Sequence, residues 1–217
     1  MRPLLITPLT AEYAAQAARL HIAGQPGTFL TALGPDVLTV VYRALPQSAG
    51  GFGFAAVNST TETEFLAETR FLSPTPPNLQ GYVSATTGIG GLFVEMTTQR
   101  LGELLGPLLR RYAQSPGLLL RSAQTALYPF FVREEGDEPS AELLSIMVEP
   151  AARSHGIGGL LMAAFLGECR SRGLHAVTVT VDAANDGAQR FYARHRFAPW
   201  RTITLYGRAM SVLRRNV

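Results

Sequence analysis

Arg153, Gly156 and Gly158 carry the clearest chemical signal in the chain. They lie in the run Val148-Glu149-Pro150-Ala151-Ala152-Arg153-Ser154-His155-Gly156-Ile157-Gly158-Gly159-Leu160-Leu161, which joins a strand-like segment to a helix-like one. Glycine removes the side chain where backbone must come close to a ligand. The first amides of the following helix, at the positive end of its dipole, favour an anion, and Arg153 adds a full charge at the rim. Glycines placed only to close a turn would look similar, but an arginine three residues before Gly-x-Gly favours a phosphate. A Walker A loop needs Gly-Lys-Ser or Gly-Lys-Thr, and the chain has no lysine; a Rossmann fingerprint needs a third glycine where Leu161 stands. Both nucleotide readings fail on residues.

A second run, Asn185-Asp186-Gly187-Ala188-Gln189-Arg190-Phe191-Tyr192-Ala193-Arg194-His195-Arg196-Phe197, follows an alternating segment of Val and Thr. Arg153-x-x-Gly156-x-Gly158 resembles the acetyl-CoA pyrophosphate motif of the GNAT superfamily. The second run resembles that family's Asn-x-x-Ala-x-x-Phe-Tyr signature, which is followed by Gly-Phe. The detailed likeness covers roughly residues 141–210. Two positions depart from the pattern: Ser154 and Arg196 stand where members often carry glycine. The second departure bears on the turn after the helix, since arginine takes positive φ less readily than glycine.

The resemblance implies a fold, a co-substrate and a chemistry. The fold is α/β: a mixed, mostly antiparallel sheet splayed between two central strands, with helices on both faces. The co-substrate is acetyl-CoA. Its pantetheine arm would lie in the gap between residues 142–148 and 176–181, pairing with the first strand as an extra strand would. The backbone N–H near Ile146 would hold the developing oxyanion. The implied cofactor positions are Ile146, Met147 and Val148 on the strand, then Arg153, Ser154, His155, Gly156, Ile157, Gly158 and Gly159 in the turn, with Asn185 and Tyr192 beyond. No metal is implied.

Direct attack by an amine needs one proton removed from the nucleophile and one delivered to the thiolate. Tyr192 occupies the family's tyrosine position and is the candidate donor; a buried aromatic on a helix face is the structural alternative, although Phe191 looks the more obvious core residue. Glu142 is the candidate base. Strand alternation puts it on one face with Leu144, Ile146 and Val148, and it stands eleven residues before Arg153, the offset at which some members carry a catalytic glutamate. A glutamate facing solvent at a strand start is the plain alternative. His21 is a rival base, and His155 a weaker one beside the pyrophosphate.

The elements that must position these groups are partly legible. Residues 4–9 read as a strand, Thr10 as the cap of a helix with Tyr13, Ala14, Ala17, Ala18 and His21 inward, and 36–45 as a second helix bearing Val37, Val40, Val41 and Ala44 on one face. Residues 51–57 and 80–86 read as strands, and 58–78 as a long excursion. The Leu-rich stretch 91–128 reads as two helices broken near Pro107 and again at Ser115-Pro116-Gly117, followed by an acidic loop over 133–140. Strand 142–148, helix 156–172 ending at Gly173, strand 176–181, a helix opening at Asn185 as its N-cap, and a hairpin of 197–203 and 205–212 complete the chain. A single domain over 1–217 is expected, with insertions at 58–78 and 91–140. The acceptor would enter opposite the cofactor, bounded by 24–33 and the Leu-rich insertion.

Bulk properties exclude several classes. An apolar fraction of 47% with 16% charged residues fits a folded domain. All 19 basic residues are arginine, scattered without a stripe, so no nucleic-acid partner is expected. The start lacks a secretory h-region and the longest apolar stretch, 156–167, is too short to span a bilayer, so no membrane partner and a cytoplasmic location are expected. Cys169, the single cysteine, supports neither disulfide nor metal pair. The resemblance implies transfer of an acetyl or other short acyl group from acyl-CoA to a primary amine of an unidentified small-molecule acceptor, in a monomer or homodimer. The alternatives are a protein N-acetyltransferase or a non-catalytic acyl-CoA-binding sensor or interaction module.

Overall fold

The computed structural model describes residues 3–58, 78–123 and 140–217. The excursion expected at 58–78 and the acidic loop at 133–140 lie almost wholly outside these residues. Among the described residues seven strands form one sheet: β1 (Leu4–Pro8), β2 (Gly51–Asn58), β3 (Leu79–Thr86), β4 (Ser140–Val148), β5 (Ala176–Asp182), β6 (Ala198–Leu205) and β7 (Arg208–Asn216). Their order is β1-β2-β3-β4-β5-β7-β6, and every pairing is antiparallel except β4 with β5. The closing hairpin runs longer than the sequence suggested because its turn is Tyr206-Gly207, where both residues have positive φ (52° and 75°) and so match the twist of the strands.

Helices cover both faces. On one side α1 (Ala14–Gly24) and α3 (Pro35–Ala44), separated by the short α2 (Phe29–Leu33), pack Ala17, Ala18, Leu38 and Tyr42 onto Tyr82 and Met147 of the sheet. Thr10 does not cap a helix: its hydroxyl donates to Glu12 at 2.8 Å, and a 3-10 turn at Ala11–Tyr13 leads into α1. The inward face of α3 is also rotated from the expected one, with Leu38 and Tyr42 buried alongside Val37, Val40 and Ala44.

Across the sheet lies the long helix Ile157–Ser171. Its Ile157, Leu161, Met162, Phe165, Leu166 and Cys169 recur at helical spacing and bury against Val83, Leu143, Val177 and Val179. Burial pushes the Cys169 thiol up to about 12, which leaves it a packing residue. Gly173, with φ 67°, ends this helix as the sequence indicated.

The Leu-rich insertion departs from expectation. It forms α4 (Ile89–Gln99) and α5 (Leu101–Gln114), with a break at Arg100 while Pro107 sits inside α5; the break expected at Ser115-Pro116 is present, and helix resumes over 117–123. A mid-helix proline costs about 3 kcal/mol. Tertiary packing opposes that cost: Leu104, Leu108 and Tyr112 join a cluster with Phe29, Leu33, Val37 and Val40. In chain order the helix Ile157–Ser171 is α6, and Asp186–Arg194 is α7.

Candidate active site

The glycine turn forms where β4 hands over to α6. A 3-10 turn at Pro150–Ala152 follows the strand, Ser154 and Gly156 take positive φ (66° and 80°), and α6 starts at Ile157. A side chain added at Gly156 would meet nothing within 4 Å, so the space above this residue is open. The first amides of α6 lack intrahelical partners. Arg153 is exposed and anchors its Nε on the Val148 carbonyl at 3.2 Å, while His155 Nδ1 lies 2.8 Å from the Arg153 carbonyl. The amides and dipole of the first turn of α6, with an exposed arginine in the same turn, are groups that suit an anion. Gly158 has another role: an added Cβ there would come within 3.2 Å of the Phe191 ring and 3.9 Å of Val148. The two sequence signatures therefore meet, with α7 seated on the first turn of α6.

Beside this turn the sheet forks. β4 and β5 pair in parallel only from Ser140↔Ala176 to Leu143↔Val179, whereas β4 continues to Val148 and β5 to Asp182. Among the described residues the edge of β4 facing β5 has no strand partner over 144–148, while its other edge stays paired with β3. Such an edge offers backbone N–H and C=O groups to an extended amide-bearing chain. The Arg153–Gly159 turn follows the end of β4 beside this fork.

A bulge corrects the facing expected for Glu142. β4 pairs Ser84↔Ser145 but Ala85↔Leu143, which leaves Leu144 as an extra residue. Alternation resets there. Glu142 shares its face with Ser145 and Met147, on the α1–α3 side, while Leu143, Ile146 and Val148 face α6. Glu142 therefore lies not with Ile146 and Val148 but on the opposite face, at a cavity of about 170 Å³ whose wall includes Thr86, Thr178, Thr180, Trp200 and Arg201. The start of α4 closes one side of it through Gly88 and Ile89. Residues 24–33 do not line this cavity; Phe29 instead packs on Tyr206 at the hairpin tip, with centroids 5.1 Å apart.

Tyr192 and Phe191 exchange their expected roles in packing. Tyr192 is only 6% exposed and sits in the α6-side core, edge-on to Phe197 at 5.5 Å and to Phe191 at 5.4 Å. Burial pushes its phenol well above the usual range, so the group is held protonated. Asn185 caps α7 as expected, its side-chain oxygen accepting from the Ala188 amide at 3.0 Å. The closing turn keeps its shape despite the departure from glycine, with Arg196 at φ 62°.

His21 does not reach the cavity wall. It is 1% exposed, and burial lowers its affinity for a proton to a value of about 4. Its Nδ1 lies 2.7 Å from Tyr42 Oη, which lies 2.6 Å from Tyr82 Oη, itself 3.2 Å from Ser145 Oγ. This buried chain ties α1, α3 and β3 to β4 one residue beyond the bulge. Sequence reasoning missed Tyr42, Tyr82 and Ser145, and it missed Trp200 and Arg201. Only Thr178 and Thr180 had left a trace, in the Val–Thr alternation of β5. Among the described residues no group of histidine, cysteine, aspartate or glutamate could hold a metal ion, and no helix is long and apolar enough to cross a membrane.

Comparison with known proteins agrees with this geometry. Residues 122–197 match the model of the acetyltransferase (GNAT) family. A mycothiol acetyltransferase of Thermobispora bispora is 39% identical over 75 residues, covering 35% of this chain and 25% of that protein. One from Paenarthrobacter aurescens is 34% identical over 92 residues, covering 42% and 27%. The chain thus spans about a quarter of the length of the curated relatives it matches. The crystal structure of Arabidopsis thaliana NAA60 in complex with acetyl-CoA superposes with a TM-score of 0.59 over 99% of both chains at 13% identity, a likeness of fold. Both signatures lie within residues 122–197, the stretch that is similar to the acetyltransferase (GNAT) family.

Proposed function

We propose that the chain is an acyl-CoA-dependent N-acyltransferase that moves an acetyl or other short acyl group onto the primary amine of a small molecule, by direct attack in a ternary complex. The observation that carries this reading is the fork between β4 and β5, open beyond Leu143 and Val179, with the Arg153–Gly159 turn at its end. In this reading the amides of Ile157, Gly158 and Gly159 and the Arg153 guanidinium hold the diphosphate. Ser154 and His155 shape the rim of the turn, and Asn185 sets the start of α7. The free edge of Ile146, Met147 and Val148 aligns the pantetheine amides. A β4 amide beside the Leu144 bulge holds the thioester carbonyl oxygen as negative charge develops on it.

The amine attacks the thioester carbon from the α1–α3 side of the sheet, where the cavity lies. Glu142 takes the proton that the amine loses, directly or through water, and Tyr192 delivers a proton to the departing sulfur. A cavity of about 170 Å³ supports a small acceptor, being comparable with the roughly 150 Å³ that holds a benzene-sized molecule. The test is thiol release from acetyl-CoA in the presence of a panel of primary amines, with mass spectrometry of the products. Amine-dependent release with a 42-Da gain on the amine (one acetyl for one hydrogen, about 42 Da) is expected. Tight acetyl-CoA binding with no release for any amine would leave a binding module instead.

A further inference from the structure

Arg201 is a cation that the proposed reaction does not use. It lies on β6 opposite Val212 of β7, and Val212 lies opposite Thr180 of β5. These pairings place it on the same sheet face as Thr178 and Glu142. The ladder between β6 and β7 slips between Pro199 and Arg201, so Trp200 is the extra residue and the bulge sets where Arg201 is aimed. Arg201 lies over the Trp200 ring, 4.4 Å from its centroid, with Arg214 at 5.4 Å from the same ring. Its Nε and Nη2 are buried and make no hydrogen bond among the described residues. Buried N–H groups without partners are costly, more so on a charged group. Nε and Nη2 form one edge of the guanidinium, the edge that donates two parallel bonds to a carboxylate.

We infer that Arg201 is the specificity determinant of the acceptor pocket and that the acceptor is a small amine bearing a carboxylate, of amino-acid size, whose carboxylate docks on the Nε–Nη2 edge. The inference rests on the acyl-transfer reading. Three features of the cavity support it. The unpartnered Nε–Nη2 edge belongs to a residue that lines the cavity and matches two coplanar oxygens. The stack on Trp200 fixes the guanidinium before the ligand arrives, which lowers the ordering cost of binding. Glu142 lines the same cavity and disfavours a dianion such as a phosphate, while remaining compatible with a group that carries one negative charge and an amine.

The test uses matched probes on the full chain: L-alanine with L-alaninamide and ethylamine, and L-leucine with L-leucinamide and isoamylamine. Binding is read by calorimetry with CoA present, and acyl transfer by thiol release. At least one acid should bind about tenfold or more tightly than its amide, the range expected for a charge-assisted pair of bonds. Arg201→Gln, with its fold checked by circular dichroism, should erase that preference. Arg201→Lys, which keeps the charge without the planar edge, should retain only part of it and carries the test if the glutamine variant does not fold. Equal binding of acids and amides, binding of neither acid, or a preference that survives in Arg201→Gln or is undiminished in Arg201→Lys overturns the inference. The two readings separate: an Arg201-dependent preference for acids without thiol release sustains the subsite and removes the transferase, whereas transfer to acids and amides alike does the reverse.

Discussion

Ser154 and Arg196 hold φ of 66° and 62° at the two turns where GNAT members often carry glycine. A non-glycine residue in this region costs about 1–2 kcal/mol, while glycine loses about 0.4–1 kcal/mol through the freedom it gains in the unfolded chain. Ser154→Gly and Arg196→Gly should therefore each raise stability by about 0.5–1 kcal/mol, measured by urea unfolding. Lower stability in both would mean that these side chains contribute more than their turns cost. Tyr192 poses a different question at the same scale, because its ring is plainly structural and only its hydroxyl is open to a chemical role. Tyr192→Phe keeps the packing with Phe191 and Phe197 and removes the proton. Turnover should fall about tenfold to a thousandfold with acetyl-CoA affinity nearly unchanged. An unaltered rate with chemistry shown to be limiting would leave Tyr192 as core.

At the scale of elements, the chain of hydroxyls from His21 to Ser145 makes α1, α3, β3 and β4 interdependent. His21 titrates near 4 when folded and near 6.5 when unfolded, so the unfolded chain binds its proton first as pH falls. The contribution of neutral His21 is complete above pH 6.5, declines as pH falls from there and levels off below 4. The loss amounts to about 3 kcal/mol at pH 4. His21→Asn should start less stable at pH 7 and then lose less stability between pH 7 and 4.5 than the wild type. Parallel pH profiles for the two proteins would show that His21 is not buried neutral in solution.

Elements also show why some of the site was legible and some was not. The Gly156–Gly158 turn, α6, β5 and the Asn185 cap announce themselves through residue type at fixed spacing, since each needs a particular backbone freedom or hydrogen-bonding group. The Leu144 bulge has no such mark: Leu-Leu-Ser-Ile reads as plain alternation, and only pairing with β3 shows the slip that turns Glu142 to the other face. Pro107 was read as a break because local propensity was weighed without the packing of Leu104 and Tyr112. Arg201 was invisible as one of 19 arginines until the sheet placed it across Val212 from Thr180 and left its Nε and Nη2 without partners among the described residues.

For the molecule as a whole, the sheet divides the work. In the proposed reading the α6 side supplies the rigid core and the phosphate turn, and the opposite face, with the start of α4 and the β6–β7 hairpin, lines the acceptor cavity. The fork between β4 and β5 is the opening through which the two sides communicate, and the account depends on a CoA thioester lying in it. Amide hydrogen exchange with and without saturating acetyl-CoA tests that claim most directly. Slowed exchange is expected at residues 144–148, as the open edge of β4 gains a partner, and at 157–160, as the first amides of α6 bind phosphate oxygens. Unchanged exchange in both segments while acetyl-CoA is bound would contradict it.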